Sequence, residues 1–193
     1  MSRCQRDTTH ISDECMVWMD DGGSGALTGS GHVTLSASVE EVWRRLMDAN
    51  ELAAIVPGCR GLTQDGPDRY SAEVVIGVAG IRGAYRAQIE MRDKKERQSV
   101  RLVGKASGAL GFASGSGFVT LQSEDGGRTR LSYRYEADVG GKVAAVGQRM
   151  LGSVTRYLIA QFFHALERRI EPADRGWRRW WSELRRRPSM ATV

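Results

Sequence analysis

Residues 70–92, YSAEVVIGVAGIRGAYRAQIEMR, decide the fold. Tyr70, Ala72, Val74, Ile76 and Val78 alternate with Ser71, Glu73, Val75, Gly77 and Ala79. Past the Ala79-Gly80 turn, Ile81, Tyr85, Ala87, Ile89 and Met91 alternate with Arg82, Arg86, Gln88, Glu90 and Arg92. A period of two sends successive side chains to opposite faces of a strand. The same period recurs where Val100, Leu102 and Ala106 alternate with Ser99, Arg101 and Lys105. It recurs again where Leu131, Tyr133, Tyr135, Ala137 and Val139 alternate with Arg130, Ser132, Arg134, Glu136 and Asp138. Turn signals at Asp65-Gly66-Pro67, Asp93-Lys94-Lys95 and Asp125-Gly126-Gly127 separate the runs. Residues 62–139 therefore read as a meander of antiparallel strands, with one charged face in water and one apolar face that needs a cover.

Working outward, Gly31-His-Val-Thr-Leu-Ser is a short alternating strand. Ser38-Val-Glu-Glu41 follows as a capping box, with Ser38 as N-cap and Glu41 at N3, and Val42, Trp43 and Leu46 form a helical apolar stripe. A second short helix spans about 50–55 and stops at Pro57-Gly58. On the other side, after Gly140-Gly141, residues 142 to about 170 read as one long proline-free helix. Its stripe is Val143, Val146, Met150, Val154, Leu158, Phe162 and Leu166. The expectation is an α+β fold in which a curved antiparallel sheet of about seven strands grips the long C-terminal helix, with two short helices after the first strand.

With 193 residues, 41% apolar and 26% charged, the chain has the composition of one globular domain with a real core. No apolar run reaches the roughly 18–20 residues of a membrane-spanning helix, and the first residues lack the apolar region of a secretory signal. A cytoplasmic location is expected. Cys4, Cys15 and Cys59 make no even disulfide framework, and the three histidines at 10, 32 and 164 have no zinc-ligand spacing, so no metal site is expected. The net charge of +5 is unevenly spread: residues 1–26 carry −3, residues 27–173 carry +4 and residues 174–193 carry another +4. A dense basic tail points to an anionic partner. Residues 1–26 read as a disordered acidic leader, 27–172 as the folded, ligand-binding domain and 173–193 as a basic Trp/Arg membrane-binding tail.

Three stretches carry a resemblance. They are residues 50–62, NELAAIVPGCRGL; residues 104–115, GKASGALGFASG; and residues 139–144, VGGKVA, followed by Gly147-Gln-Arg149 and Gln161-Phe162-Phe163. Together, over about residues 30–170, they resemble the G-subunit family of carbon monoxide dehydrogenase, within the START-like helix-grip superfamily. The resemblance implies a β-α-α-β(6)-α fold with an apolar cavity between sheet and helix. It also implies an accessory role beside a molybdenum-containing carbon monoxide dehydrogenase or related molybdenum hydroxylase, a link to the membrane, and carriage of a respiratory quinone. Molybdenum, flavin and iron–sulfur centres then belong to other polypeptides, and no cofactor is covalently bound. The leader has no counterpart in the usual family pattern.

Small residues on the apolar sheet face (Ala72, Gly83, Ala87, Gly104, Ala106 and Ala137) leave volume that either lets the helix sit closer or admits a ligand. The cavity residues expected are Ile55, Val56, Pro57, Val74, Ile76, Tyr85, Ile89, Leu102, Phe112, Tyr133, Met150, Val154, Leu158 and Phe162. A mostly apolar pocket suits a flat isoprenoid quinone. Tyr85 and Tyr133 either offer hydroxyls to a quinone carbonyl or are core tyrosines. The Ile55–Cys59 turn is either a gate at the cavity mouth or plain packing, and Cys59 reads as a small hydrophobe. The glycine run 104–117 lacks phosphate-loop order and sits between strands, so it is expected to serve bends in the sheet, with Phe112 on a bend.

In the tail, Trp177, Trp180, Trp181 and Leu184 fall at i, i+3, i+4 and i+7, with Arg178, Arg179, Arg185, Arg186 and Arg187 around them. Indoles at headgroup level and a basic amphipathic helix describe a foot on an anionic membrane. Packing on a partner protein, or stacking on a nucleic acid strand, are the other readings; the partner expected is the membrane, not nucleic acid. The first function hypothesis is a carrier that binds a lipophilic quinone and presents it to a dehydrogenase from the inner face of the membrane. Alternatives are a membrane-recruitment factor without a ligand, and a cyclase- or hydrolase-like enzyme. An enzyme needs a titratable pair aimed into the pocket, and the inward stripes offer only Tyr, Met and small residues, with His164 and His32 each alone. The chain is expected not to be an enzyme.

Overall fold

The computed structural model describes residues 25–78 and 81–170. The element order is β1 (Gly25–Leu35), α1 (Val39–Met47), α2 (Ala49–Ile55), β2 (Cys59–Gly66), β3 (Arg69–Val78), β4 (Ile81–Lys95), β5 (Ser99–Gly108), β6 (Gly111–Glu124), β7 (Arg128–Gly140), a 3-10 helix (Gly141–Val146) and α3 (Gln148–Ile170). All seven strands form one antiparallel sheet in the order β1-β7-β6-β5-β4-β3-β2. Every strand after β2 pairs with its neighbour in sequence, and β1 closes onto β7. The expected α+β architecture is the one observed.

Local chemistry sets the short helices. The Ser38 hydroxyl accepts from the Glu41 backbone N–H at 3.3 Å, as an N-cap does. The Glu41 carboxylate turns instead to Arg45 at 2.7 Å and to Arg44. Asp48 ends α1 and caps α2 at once, accepting from the N–H groups of Asn50 and Glu51 at 2.8 and 3.1 Å. Glu51 then receives Arg45 of α1 at 3.1 Å and Arg169 of α3 at 3.0 Å, so one carboxylate ties three helices.

Three sequence expectations are corrected. The first is the long helix, which is two pieces. A 3-10 helix fills 141–146, Gly147 takes φ +86°, and α3 begins at Gln148. The glycine resets the helical phase, so Val143 and Val146 do not predict the buried stripe of α3. That stripe is Leu151, Val154, Phe163, Leu166 and Ile170, and Met150 is 43% exposed. An i, i+4 step overshoots a full turn by about 40°, so a stripe drawn by such steps from 150 to 166 wanders about 160° around the helix. Met150 falls off its end.

The second concerns the glycine run, which forms two strands rather than a connection. Residues 104–108 belong to β5 and 111–117 to β6, joined by a hairpin with Gly108 opposite Gly111. Gly111 has φ +147°, and a Cβ there would overlap the Gly140 carbonyl. The third concerns β1, which starts at Gly25 rather than near Gly31, with Gly25 opposite Val139 and Ala26 opposite Asp138. The remainder of the expected leader, and the tail, lie outside the described residues.

The main core sits where the C-terminal half of α3 meets β1, β6, β7 and the two short helices. Val33, Leu35, Val42, Ile55, Leu131 and Leu166 are its most buried side chains. Thr129, fully buried, donates to the Ala37 carbonyl at 2.7 Å and pins the β1–α1 link to β7.

Candidate functional site

Register builds the inner face row by row. Tyr70, Ile89, Gly104, Gly115, Ala137 and Leu27 lie opposite one another across β3, β4, β5, β6, β7 and β1. The next row is Ala72, Ala87, Ala106, Ala113 and Val139, and the one beyond begins Val74, Tyr85 and Gly108. The centre of the inner face is thus a floor of alanine and glycine, flanked by larger side chains on both sides. Most of this floor is readable in the sequence; Gly108, Ala113 and Gly115 complete it.

On one side of the floor lies an apolar pocket of about 210 Å³. Leu46 and Met47 of α1 and Leu52 of α2 form one wall, with Val56 just past α2. Leu62, Tyr70, Ile89, Met91, Val100, Leu102, Val119 and Leu131 form the sheet wall, and Phe162 and Phe163 of α3 the third. No polar atom contributes to the wall surface. Sites for drug-sized ligands run to about 300–1,000 Å³, so as it stands this pocket has room for part of such a molecule. Larger hollows on the outer face, one of about 750 Å³, are open troughs lined by Thr63, Ser71, Glu73, Arg86, Gln88 and Lys105. Phe112 and several alanines complete that lining, and an open trough of mixed polar and apolar surface does not enclose a lipophilic guest.

Of the cavity residues expected from sequence, Val56, Ile89, Leu102 and Phe162 line the apolar pocket. Ile55 and Tyr133 belong to the main core beside it, Tyr133 with its ring 5.4 Å from that of Phe163. Ile76, Tyr85, Val154 and Leu158 form a second apolar cluster with Leu27, Tyr135 and Leu151; Tyr85 stands across the floor from the pocket, whereas Tyr135, opposite Gly117, is level with Leu102 and Met91. Val74 lies opposite Tyr85 in the sheet. Pro57 is half-buried in the turn. Met150 and Phe112 are misplaced: both are exposed, Phe112 at 57%. Phe112 points away from the helix because the strand alternation puts Ala113, not Phe112, opposite Ala106 on the inner face, and its ring lies against Gly140. Sequence reasoning misses Leu46, Met47, Leu52, Leu62, Tyr70, Met91, Val100, Val119, Leu131 and Phe163 as pocket residues. For Leu62 and Val119 the signal is weak, since β2 and β6 show too little alternation for their inward positions to be counted.

Two hydroxyls stand out in this apolar interior. The Tyr85 and Tyr135 side-chain oxygens are buried without a hydrogen-bond partner among the described residues. Tyr85 lies over Gly108, where a Cβ would come within 2.8 Å of its ring, and Tyr135 lies over Gly29 in the same way. Burial raises the Tyr135 pKa above its ordinary value, with Tyr133 adding to the rise and Arg156 opposing it. The sequence puts Tyr135 on the inward stripe but suggests Tyr85 and Tyr133 as the polar anchors.

The turn after α2 is fastened rather than loose. The Val75 N–H donates to the Gly58 carbonyl at 2.8 Å, and a Cβ on Gly58 (φ +73°) would overlap the Val75 carbonyl. These two features hold the turn against β3. Cys59 is a free thiol opposite Val74. His164 is exposed on α3, and His32 lies opposite Ser132. Among the described residues no group of three or more His, Cys, Asp or Glu side chains is gathered to hold a metal, and no helix is long and apolar enough to cross a membrane. Trp177, Arg178, Arg179, Trp180, Trp181, Leu184, Arg185, Arg186 and Arg187 lie outside the described residues.

A model of the carbon monoxide dehydrogenase G-subunit (CoxG) family matches residues 31–171. The chain belongs to the CoxG family. No protein among those curated for function matches it. Among solved structures, a conserved protein from Geobacillus kaustophilus shares 42% identity over 75% of this chain and 95% of its own, with a TM-score of 0.73. A START superfamily protein from Mycobacterium smegmatis (16% identity, TM-score 0.58) covers 74% of this chain and 96% of its own. The Zhui aromatase/cyclase of Streptomyces sp. R1128 (18% identity, TM-score 0.59) covers 77% and 98%. The latter two establish the START-like fold of this CoxG family member and nothing of its activity.

Proposed function

We propose that this chain is an accessory protein of a molybdenum-containing carbon monoxide dehydrogenase, or of a related molybdenum hydroxylase, that carries a lipophilic respiratory quinone and links the dehydrogenase to the membrane. Family membership supports the accessory role. The observation that carries the ligand reading is the apolar pocket, whose wall shows no polar atom and which adjoins a floor of alanine and glycine. Such a surface favours hydrocarbon over water and offers nothing to a charged substrate. Its present volume takes a stretch of isoprenoid, and Met47 and Leu52 are the wall that yields when the whole molecule enters, since methionine repacks easily.

The chain's own part is desolvation and transfer; the redox step falls to the partner's cofactors. The inward positions of β3–β7 are apolar, small or tyrosine, while Glu73, Arg86, Lys105, Glu136 and Asp138 alternate outward, an arrangement with no acid–base pair aimed at a guest. Attachment to an anionic membrane is supported by the Trp/Arg pattern of residues 177–187. The exposed side of α3, which leads into that segment, adds Arg149, Arg156 and Arg168 beside the exposed Met150 and Tyr157.

Solvent extraction of the purified protein followed by mass spectrometry tests the carrier reading. A quinone in the extract is the expected result; an extract without one, from protein also unable to take up added quinone, leaves a tether. For the membrane link, full-length protein is expected to sediment with anionic liposomes. Replacing Trp177, Trp180 and Trp181 together by Ala is expected to release it, and unchanged sedimentation would remove the foot.

A further inference from the structure

The pocket and the second cluster differ in one chemical respect. The pocket beside α1 and α2 has a wall without polar atoms. The cluster beneath the N-terminal half of α3 holds two hydroxyls, on Tyr85 and Tyr135, that find no partner among the described residues. Tyr85 is only 7% exposed. An unpartnered hydroxyl at that depth is unfavourable to folding, and a phenylalanine would fill the same space without the penalty. Gly108 makes room for the ring, which accounts for an aromatic side chain here but not for its oxygen. A guest that accepts a hydrogen bond would satisfy the oxygen.

Between the two sites runs the small-residue floor. Along β4 the inward order is Tyr85, Ala87, Ile89, Met91; along β5 it is Gly108, Ala106, Gly104, Leu102. Passing from the Tyr85 hydroxyl to the pocket along β4 and β5, a guest crosses only Ala87, Ala106 and Gly104 before it meets Ile89 and Leu102. We infer that a bound guest lies with a carbonyl-bearing head on the Tyr85 hydroxyl, under the N-terminal half of α3, and with its hydrocarbon tail across the Ala87–Ala106 floor into the pocket beside α1 and α2. The inference rests on the carrier reading above and adds the recognition group and the orientation to it. The phenol donates its proton to a carbonyl lone pair, which a quinone offers and a hydrocarbon of the same outline does not.

Equilibrium dialysis of the full-length chain with two probes tests this: a naphthoquinone bearing a two-isoprene tail, and the naphthalene hydrocarbon with the same tail. Wild type is expected to prefer the quinone by about tenfold, the gain of one hydrogen bond made in a site already dry. Tyr85→Phe is expected to lose that preference while keeping wild-type affinity for the hydrocarbon, with a thermal midpoint no lower than wild type. Tyr70→Phe, at the pocket end, is expected to keep the preference. If wild type binds neither probe, the carrier reading falls and the orientation with it. If wild type binds both but shows no preference, or if Tyr85→Phe retains it, the carrier reading stands and the orientation is wrong. Loss of preference in Tyr70→Phe instead of Tyr85→Phe would reverse the orientation and overturn the assignment.

Discussion

Under the C-terminal half of α3, Phe163, Leu166 and Ile170 press onto Val33, Leu35 and Leu131 and reach Val42 and Ile55 of the short helices. Under its N-terminal half, Leu151 and Val154 meet Leu27 and Tyr85 at the border of an alanine and glycine floor. The first region is closed by large aliphatic side chains, several with no exposed surface, and is fastened outside by the Arg45–Glu51–Arg169 ion pairs. The second is entered through a 3-10 helix and a positive-φ glycine, and it leaves two hydroxyls without a partner among the described residues. One helix therefore covers two unlike regions of one sheet. Large side chains close the first, while the inner face beside the second is built of small ones.

The strongest blow to that division is aimed at the closed half. Leu166→Ala removes a side chain with 0% exposure and should lower unfolding free energy by about 3 kcal/mol in urea titration. Protein that remains folded should still prefer quinone over hydrocarbon. Ala106→Leu strikes the open half, at the middle of the floor between Ala87 and Ala113. Quinone affinity should fall more than about tenfold, equivalent to about 1.4 kcal/mol, with the urea midpoint nearly unchanged. A stability loss of about 1–3 kcal/mol, the ordinary result of overpacking, would mean the floor is solid and the two halves alike.

Thr129→Val should cost about 1–2 kcal/mol, because it leaves the Ala37 carbonyl without its 2.7 Å donor in a buried place. The effect should appear in stability and not in ligand preference. The smallest signal sharpens the open half. Burial holds the Tyr135 phenol neutral beyond its ordinary pKa of 10.0. Its folded pKa lies above its unfolded one, so its contribution to stability is whole below the unfolded value and is lost as pH rises past it. An ultraviolet phenolate titration of wild type minus Tyr135→Phe should show one tyrosine ionising above the free-tyrosine range. A difference curve at the ordinary position would place that ring in water.

The strand meander is legible because alternation is a local property: each of the runs 70–78, 81–92 and 130–139 has its period written in adjacent residues. The cap at Ser38 is legible for the same reason. The phase of α3 is not, since Gly147 breaks the helix and only its observed φ reveals the reset. Phe112 reads as inward because β6 does not announce itself as a strand: a glycine-rich stretch such as 111–117 has too few side chains to display a period. Tyr135 is visible on the inward face, yet nothing in its neighbours along the chain distinguishes a satisfied hydroxyl from an unsatisfied one.

The sequence by itself determined the fold class, the inward and outward sets of most strands, the basic tail and the family, because all of these depend on residue type and short spacing. Only the tertiary structure decided which inward residues meet. It divided them into a core of large side chains and a floor of small ones, turned Met150 and Phe112 to the outside, and buried the hydroxyls of Tyr85 and Tyr135 away from any partner among the described residues. The reason is that packing and hydrogen-bond satisfaction are set between strands and helices far apart in the chain, where register and helical phase, not neighbouring residues, fix what each side chain touches.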